Sequence, residues 1–70
     1  MDKQVEPTTH DRLMRAWENS MELVRDFETY SKRIENNEVK ELFKRFAEDE
    51  GKHASELRYL LEKYEKNDIN

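Results

Sequence analysis

The chain has no cysteine, one glycine and one proline in 70 residues, and each shortage removes a class of answers. Without cysteine there is neither a disulfide framework nor a thiolate metal site. A domain this small must then be held by helix packing, by self-association, or by a metal with oxygen and nitrogen ligands. The near-absence of Gly and Pro leaves little to punctuate strands and turns, which points to long helices. No apolar run is long enough to span a membrane, and the first residues lack the hydrophobic segment of a signal peptide. A cytoplasmic location with no membrane partner is the expectation. Acids and bases are interleaved around a net charge of −4, so no cationic stripe attracts nucleic acid.

Charged residues make up 43% of the chain and hydrophobic ones 34%, a balance compatible with disorder if it were unpatterned. It is patterned. Leu13, Trp17, Ser20, Val24, Phe27, Ser31 and Ile34 follow alternating steps of four and three. So do Val39, Phe43, Phe46, Glu50, His53, Leu57, Leu60 and Tyr64. That is the seam spacing of a helical bundle. Ala16, Leu23 and Tyr30 widen the first stripe, and Leu42, Ala47, Ala54 and Leu61 the second.

Residues 1–7 read as a flexible N-terminus, 8–66 as a helical hairpin and 67–70 as a flexible tail. Thr8 is a candidate N-cap with Asp11 following it, and the first helix covers about 8–35. Asn36-Asn37 is the only turn-forming dipeptide between the stripes; Asn37 is a candidate cap for a second helix over about 38–66. A short connection makes the helices antiparallel, with the numbers of facing residues adding to roughly 72 or 73. Phe27 then lies near Phe46, Leu13 near Leu60, and Ser20 opposite residues 52 and 53. Each stripe is wider than one partner helix covers. The fold class is therefore all-α, an antiparallel two-helix hairpin that completes a four-helix bundle by homodimerisation. Other protein partners have no signature in the sequence.

Glu50 and His53 occupy seam positions where the pattern elsewhere has Leu or Phe. Three residues apart, they lie on adjacent turns and address one spot. A buried carboxylate is costly unless paired, protonated or metal-bound. With Ser20 across from them, they form a polar layer, and a two-fold dimer would gather two Glu and two His. Carboxylate and imidazole suit iron, manganese or zinc. The structural alternative is a hydrogen-bonded core pair that fixes helix register. His10 sits among polar residues of the first turn and reads as solvated. No residue is assigned a catalytic role.

The surrounding residues carry a resemblance. Glu38-Val39-Lys40-Glu41-Leu42-Phe43 leading to Ala47-Glu48-Asp49-Glu50-Gly51-Lys52-His53-Ala54 resembles the motif-bearing helix of rubrerythrin-type, ferritin-like di-iron carboxylate proteins. The likeness extends back over Ser20 to Tyr30. It implies a ferritin-like bundle, iron as cofactor, Glu50 and His53 as metal ligands, and chemistry with iron, oxygen or peroxide. In that family the preceding helix also supplies a ligand Glu, and here Ser20 stands at that position. Two expectations follow: a divalent metal bound between helices of a dimer, or a metal-free self-association or protein-interaction module that keeps part of the motif.

Overall fold

The computed structural model describes residues 7–67. They form two helices, α1 (Thr9–Arg33) and α2 (Asn37–Asn67), packed against each other as an antiparallel hairpin. Residues 1–6 and 68–70 of the expected tails lie outside the described residues. Among the described residues, no helix is long and apolar enough to cross a membrane.

The ends of α1 are specified locally. The Thr8 hydroxyl accepts from the Asp11 backbone N–H at 3.1 Å, and the Asp11 carboxylate accepts from the Thr8 N–H at 3.1 Å. This reciprocal box satisfies two of the donors a helix start leaves open. At the other end Ile34 turns extended, at φ −88° and ψ 133°, and its N–H closes on the Tyr30 carbonyl. α1 therefore stops at Arg33, before the expected residue 35. The second cap also differs from expectation by one position. Asn36, not Asn37, accepts the Val39 N–H on its side-chain oxygen at 3.0 Å, while its carbonyl takes the Lys40 N–H at 2.9 Å. Either asparagine has the chemistry to cap; the connection closes soonest through the first.

Helix packing departs from the expected seam in an informative way. The residues buried between the helices are Ala47, Ala54 and Leu61, with Ser20 and Ser31 from α1. Ala47, Ala54 and Leu61 recur every seven residues, at positions that only widen the stripe expected from the sequence. Two helices alone approach closest where side chains are smallest, so the alanines take the centre of the contact. Phe46, His53 and Leu60 are rotated to one side. Ser31 is satisfied within its own helix, its hydroxyl donating to the Glu28 carbonyl at 2.8 Å.

Toward the connection, an aromatic cluster links the helices. The Phe27 ring lies 5.5 Å from Phe46 and 5.7 Å from Phe43, and Tyr30 lies 5.5 Å from Phe43. The expected Phe27–Phe46 pairing is thus present. These separations fall within the range where aromatic pairs contribute beyond area alone.

No large side chain is fully buried among the described residues, and Leu23, Tyr30, Val39, Phe46 and Leu60 stay 37–45% exposed. A single layer of two helices leaves one side of each stripe uncovered. The helical positions of these five residues put them on one face of the hairpin, the face that carries His53.

Gly51 falls in the interior of α2, where an added Cβ would meet nothing within 4 Å. Glycine there carries an entropic penalty with no packing return. Gly51→Ala is expected to stabilise the fold by about 0.5–1 kcal/mol, read as a higher denaturant midpoint at unchanged slope. A lower midpoint would mean that the open side of Gly51 is occupied in the assembled protein.

Candidate functional site

Glu50 and His53 are placed by the helical repeat alone, one turn apart on α2. The His53 Nδ1 lies 3.5 Å from a Glu50 carboxylate oxygen. Their surroundings differ: 21% of the Glu50 side chain is exposed, against 59% for His53. Glu50 lies where α2 turns toward α1, whereas His53 stands out on the uncovered apolar face, between the levels of Phe46 and Leu60. With Nδ1 toward the carboxylate, the ring's Nε2 is left for another partner.

The expected polar layer is only partly assembled. Trp17 meets Arg58, whose guanidinium carbon is 5.3 Å from the indole centroid, and His10 meets Glu65. Together with the Phe27–Phe46 contact, this brings Ser20 level with residues 53 to 55. Ser20 is nevertheless buried in the inter-helix contact, as is Ala54, and it is not hydrogen-bonded to Glu50 or His53. A hydroxyl at the contact line cannot reach across to the outer face. Glu18 and Glu22 are exposed, on the far side of α1 from Ser20. Neither adds a carboxylate to the Glu50–His53 pair. Among the described residues, no three His, Cys, Asp or Glu side chains are grouped to hold a metal ion.

His10, expected to be solvated, keeps a third of its side chain exposed and also has a partner on α2. Its Nε2 lies 3.1 Å from the Glu65 carboxylate, tying the open end of the hairpin from α1 to α2. The expected antiparallel pairing brings residue 10 opposite residues 62 and 63, within a turn of Glu65. The polar neighbours of His10 in sequence conceal that, because its partner is a whole helix away.

The opposite face of the hairpin has a different character. Trp17, Met21, Gly51, Ser55 and Tyr59 line a shallow groove there, with Arg58 stacked on Trp17 and bonded to Glu62 at 3.1 Å. Among the described residues, five of the six exposed large hydrophobics (Leu23, Tyr30, Val39, Phe46 and Leu60) lie on the Glu50–His53 face, and the sixth, Tyr59, lines the groove.

One hairpin therefore offers a carboxylate and an imidazole, adjacent and open, set in an apolar surface. The Rubrerythrin family model matches residues 11–69, which takes in nearly all of both helices and the Glu50–His53 pair. No curated protein and no solved structure matches the chain. Two antiparallel helices with this motif at the middle of the second, matched over 11–69, establish that the chain belongs to the rubrerythrin family.

Proposed function

We propose that this rubrerythrin-family protein holds a divalent metal, iron foremost, between the helices of a homodimer, with Glu50 and His53 as its ligands. The observation that carries this reading is the position of the pair. A carboxylate and an imidazole 3.5 Å apart lie on the face whose apolar residues are uncovered, so covering that face also encloses the donors. The donor chemistry fits: oxygen and nitrogen ligands without thiolate suit iron, manganese or zinc. A second hairpin doubles the donors to two carboxylates and two imidazoles in a completed four-helix bundle. Iron held there would supply redox chemistry toward oxygen or peroxide.

The chain's own residues do the rest. Glu50 offers a carboxylate oxygen, and its partly covered position restricts its rotamers. His53 offers Nε2 while Nδ1 faces Glu50, which orients the ring. Phe46 and Leu60 flank the pair and would exclude water once the face is covered, strengthening every charge interaction within.

A second reading has its own support. Ser20 stands where the family's first helix carries a ligand, and no third donor joins the pair among the described residues. On that reading the chain is a metal-free module whose self-association or partner binding is its function. The two are separated by elemental analysis of protein purified without added metal and again after iron supplementation. The metal reading expects bound metal that falls to background in Glu50→Ala and in His53→Ala, both variants remaining helical. If the unsubstituted protein is empty after supplementation, or if neither change alters its metal content, the interaction module is correct.

A further inference from the structure

The side of the hairpin away from the Glu50–His53 pair has an order of its own. The hollow between Trp17 and Tyr59 continues past Val24 and Gly51 into a second one, bounded by Glu28 and Lys32 of α1 and by Lys44, Ala47 and Glu48 of α2. Together they make one groove along the hairpin. From Lys44 to Glu62 its α2 wall is about 27 Å long. Neither Glu50 nor His53 lines it.

The α2 residues along this groove are arranged about the level of residue 53, and each has a complement at the same distance on the other side. Lys44 answers Glu62, and Glu48 answers Arg58, with opposite charges. Ala47 answers Tyr59, small against large, and Gly51 answers Ser55, small against small. Turned end for end about residue 53, this side of α2 therefore presents to itself residues that fit. The α1 wall has the same centre. Ser20 is level with residues 53 to 55, and Trp17, Met21 and Val24, the apolar part of that wall, lie within four residues of it.

Gly51 points to the same contact independently. A Cβ there would meet nothing within 4 Å, so nothing inside the hairpin calls for glycine, and a helix interior disfavours it. Its bare backbone borders both ends of the groove. Glycine in such a place lets another backbone approach closely.

We infer that the groove is occupied by the groove of a second copy of this chain, α2 antiparallel to α2 about a two-fold axis at the level of residue 53, with Lys44 of each copy against Glu62 of the other. This contact lies on the other side from the apolar face and needs no metal, so it does not rest on the metal reading. It is the weaker of the two contacts, because among the described residues five of the six exposed large hydrophobics lie on the apolar face. A chain with two separate two-fold contacts passes beyond the dimer: pairs joined through the apolar face link through their grooves as concentration rises. The charges set the register. A parallel pairing puts each charge against its like, and a slide of seven residues either way separates both ion pairs.

Sedimentation of the unsubstituted protein in chelator is expected to show a dimer whose mass grows at higher concentration, less so in high salt. Gly51→Gln fills the groove with a side chain for which the hairpin has room; it should stop at the dimer while its circular dichroism stays helical. Lys44→Glu and Glu62→Lys should each stop at the dimer too, because each sets like charges together at both ends of the groove. Mixed in equal amounts, these two proteins should regain the larger assembly, since every charge then meets its opposite between unlike chains. Any effect of losing the Lys44–Glu41 or Arg58–Glu62 pair within α2 persists on mixing, so recovery assigns the loss to the contact between copies. A mixture that stays dimeric, or Gly51→Gln protein that grows as the unsubstituted protein does, overturns the proposal. If the unsubstituted protein stops at a dimer, Gly51→Gln decides between the faces. A monomer then keeps the groove contact and refutes pairing through the apolar face, whereas an unchanged dimer overturns the groove contact and leaves the Glu50–His53 reading standing.

Discussion

In the homodimer proposed above the apolar face is the interface, so Phe46→Glu is expected to hold the chain as a monomer at concentrations where the unsubstituted protein associates. Phe46 keeps 38% of its surface exposed in the hairpin. For a ring side chain that buries roughly 200 Å² in full, the part left for a partner is about 75 Å². At 25 cal/mol per Å² this amounts to about 2 kcal/mol. A two-fold interface contains the residue twice, so removing the ring weakens association by about 4 kcal/mol, close to a thousandfold in Kd. The carboxylate adds to the effect, because it would enter an apolar interface without a partner. Sedimentation across a concentration series reads the change directly. The control is Tyr59→Glu. Tyr59 is 62% exposed but lines the groove on the opposite face, so its substitution should leave the dimer intact. If Tyr59→Glu dissociates the protein and Phe46→Glu does not, the copies meet through the groove and the Glu50–His53 pair faces solvent.

That test turns on which face is which, a point the sequence left unresolved. The helices, their antiparallel order and the Thr8 cap were legible because they depend on local signals: Thr8 with Asp11 three residues later, a stretch from 8 to 67 with no Pro and a single Gly, and two stripes of regular spacing. The aromatic contact of Phe27 with Phe46 followed from folding the chain at Asn36-Asn37. The rotation of each helix about its axis did not follow. A stripe broader than a single contact allows several rotations, and the choice depends on side-chain volume across the interface. Ala47 and Ala54 take the inter-helix contact because they let the backbones approach; Phe46 and His53 then face outward. For the same reason Glu50 and His53, equivalent in the periodic pattern, are unequal in the structure. Ser20 shows the limit from the other side. Its level along the bundle was legible, but its burial at the contact line, away from the polar pair, required the packed helices.

Replacing Glu50 and His53 together by leucine is expected to change stability in opposite directions with and without metal, and this separates the two functional readings at a single site. In the proposed dimer without metal, the unsubstituted protein would enclose two carboxylates and two imidazoles within an apolar interface. Exchanging such buried polar groups for packed hydrophobic ones is neutral or stabilising by about 1–4 kcal/mol. With about 4–8 °C per kcal/mol for a chain of this size, Glu50→Leu/His53→Leu should melt several degrees higher than the unsubstituted protein in chelator, at equal protein concentration. Added metal reverses the order if the pair is a ligand set. An ion that binds only the folded dimer stabilises it by about 2.7 kcal/mol at a hundred times its Kd, and the double variant has no donors with which to gain that increment. The unsubstituted protein should therefore gain several degrees on adding iron(II) or cobalt(II), while the double variant does not respond. Because Phe46 and Leu60 are untouched, both proteins should remain dimers throughout, which assigns the difference to the ion. If both proteins melt at temperatures independent of metal, with the leucine variant the higher, Glu50 and His53 act as a register-setting pair in a self-associating module. A metal-dependent gain in the unsubstituted protein alone makes them the centre of a metal site that two hairpins build together.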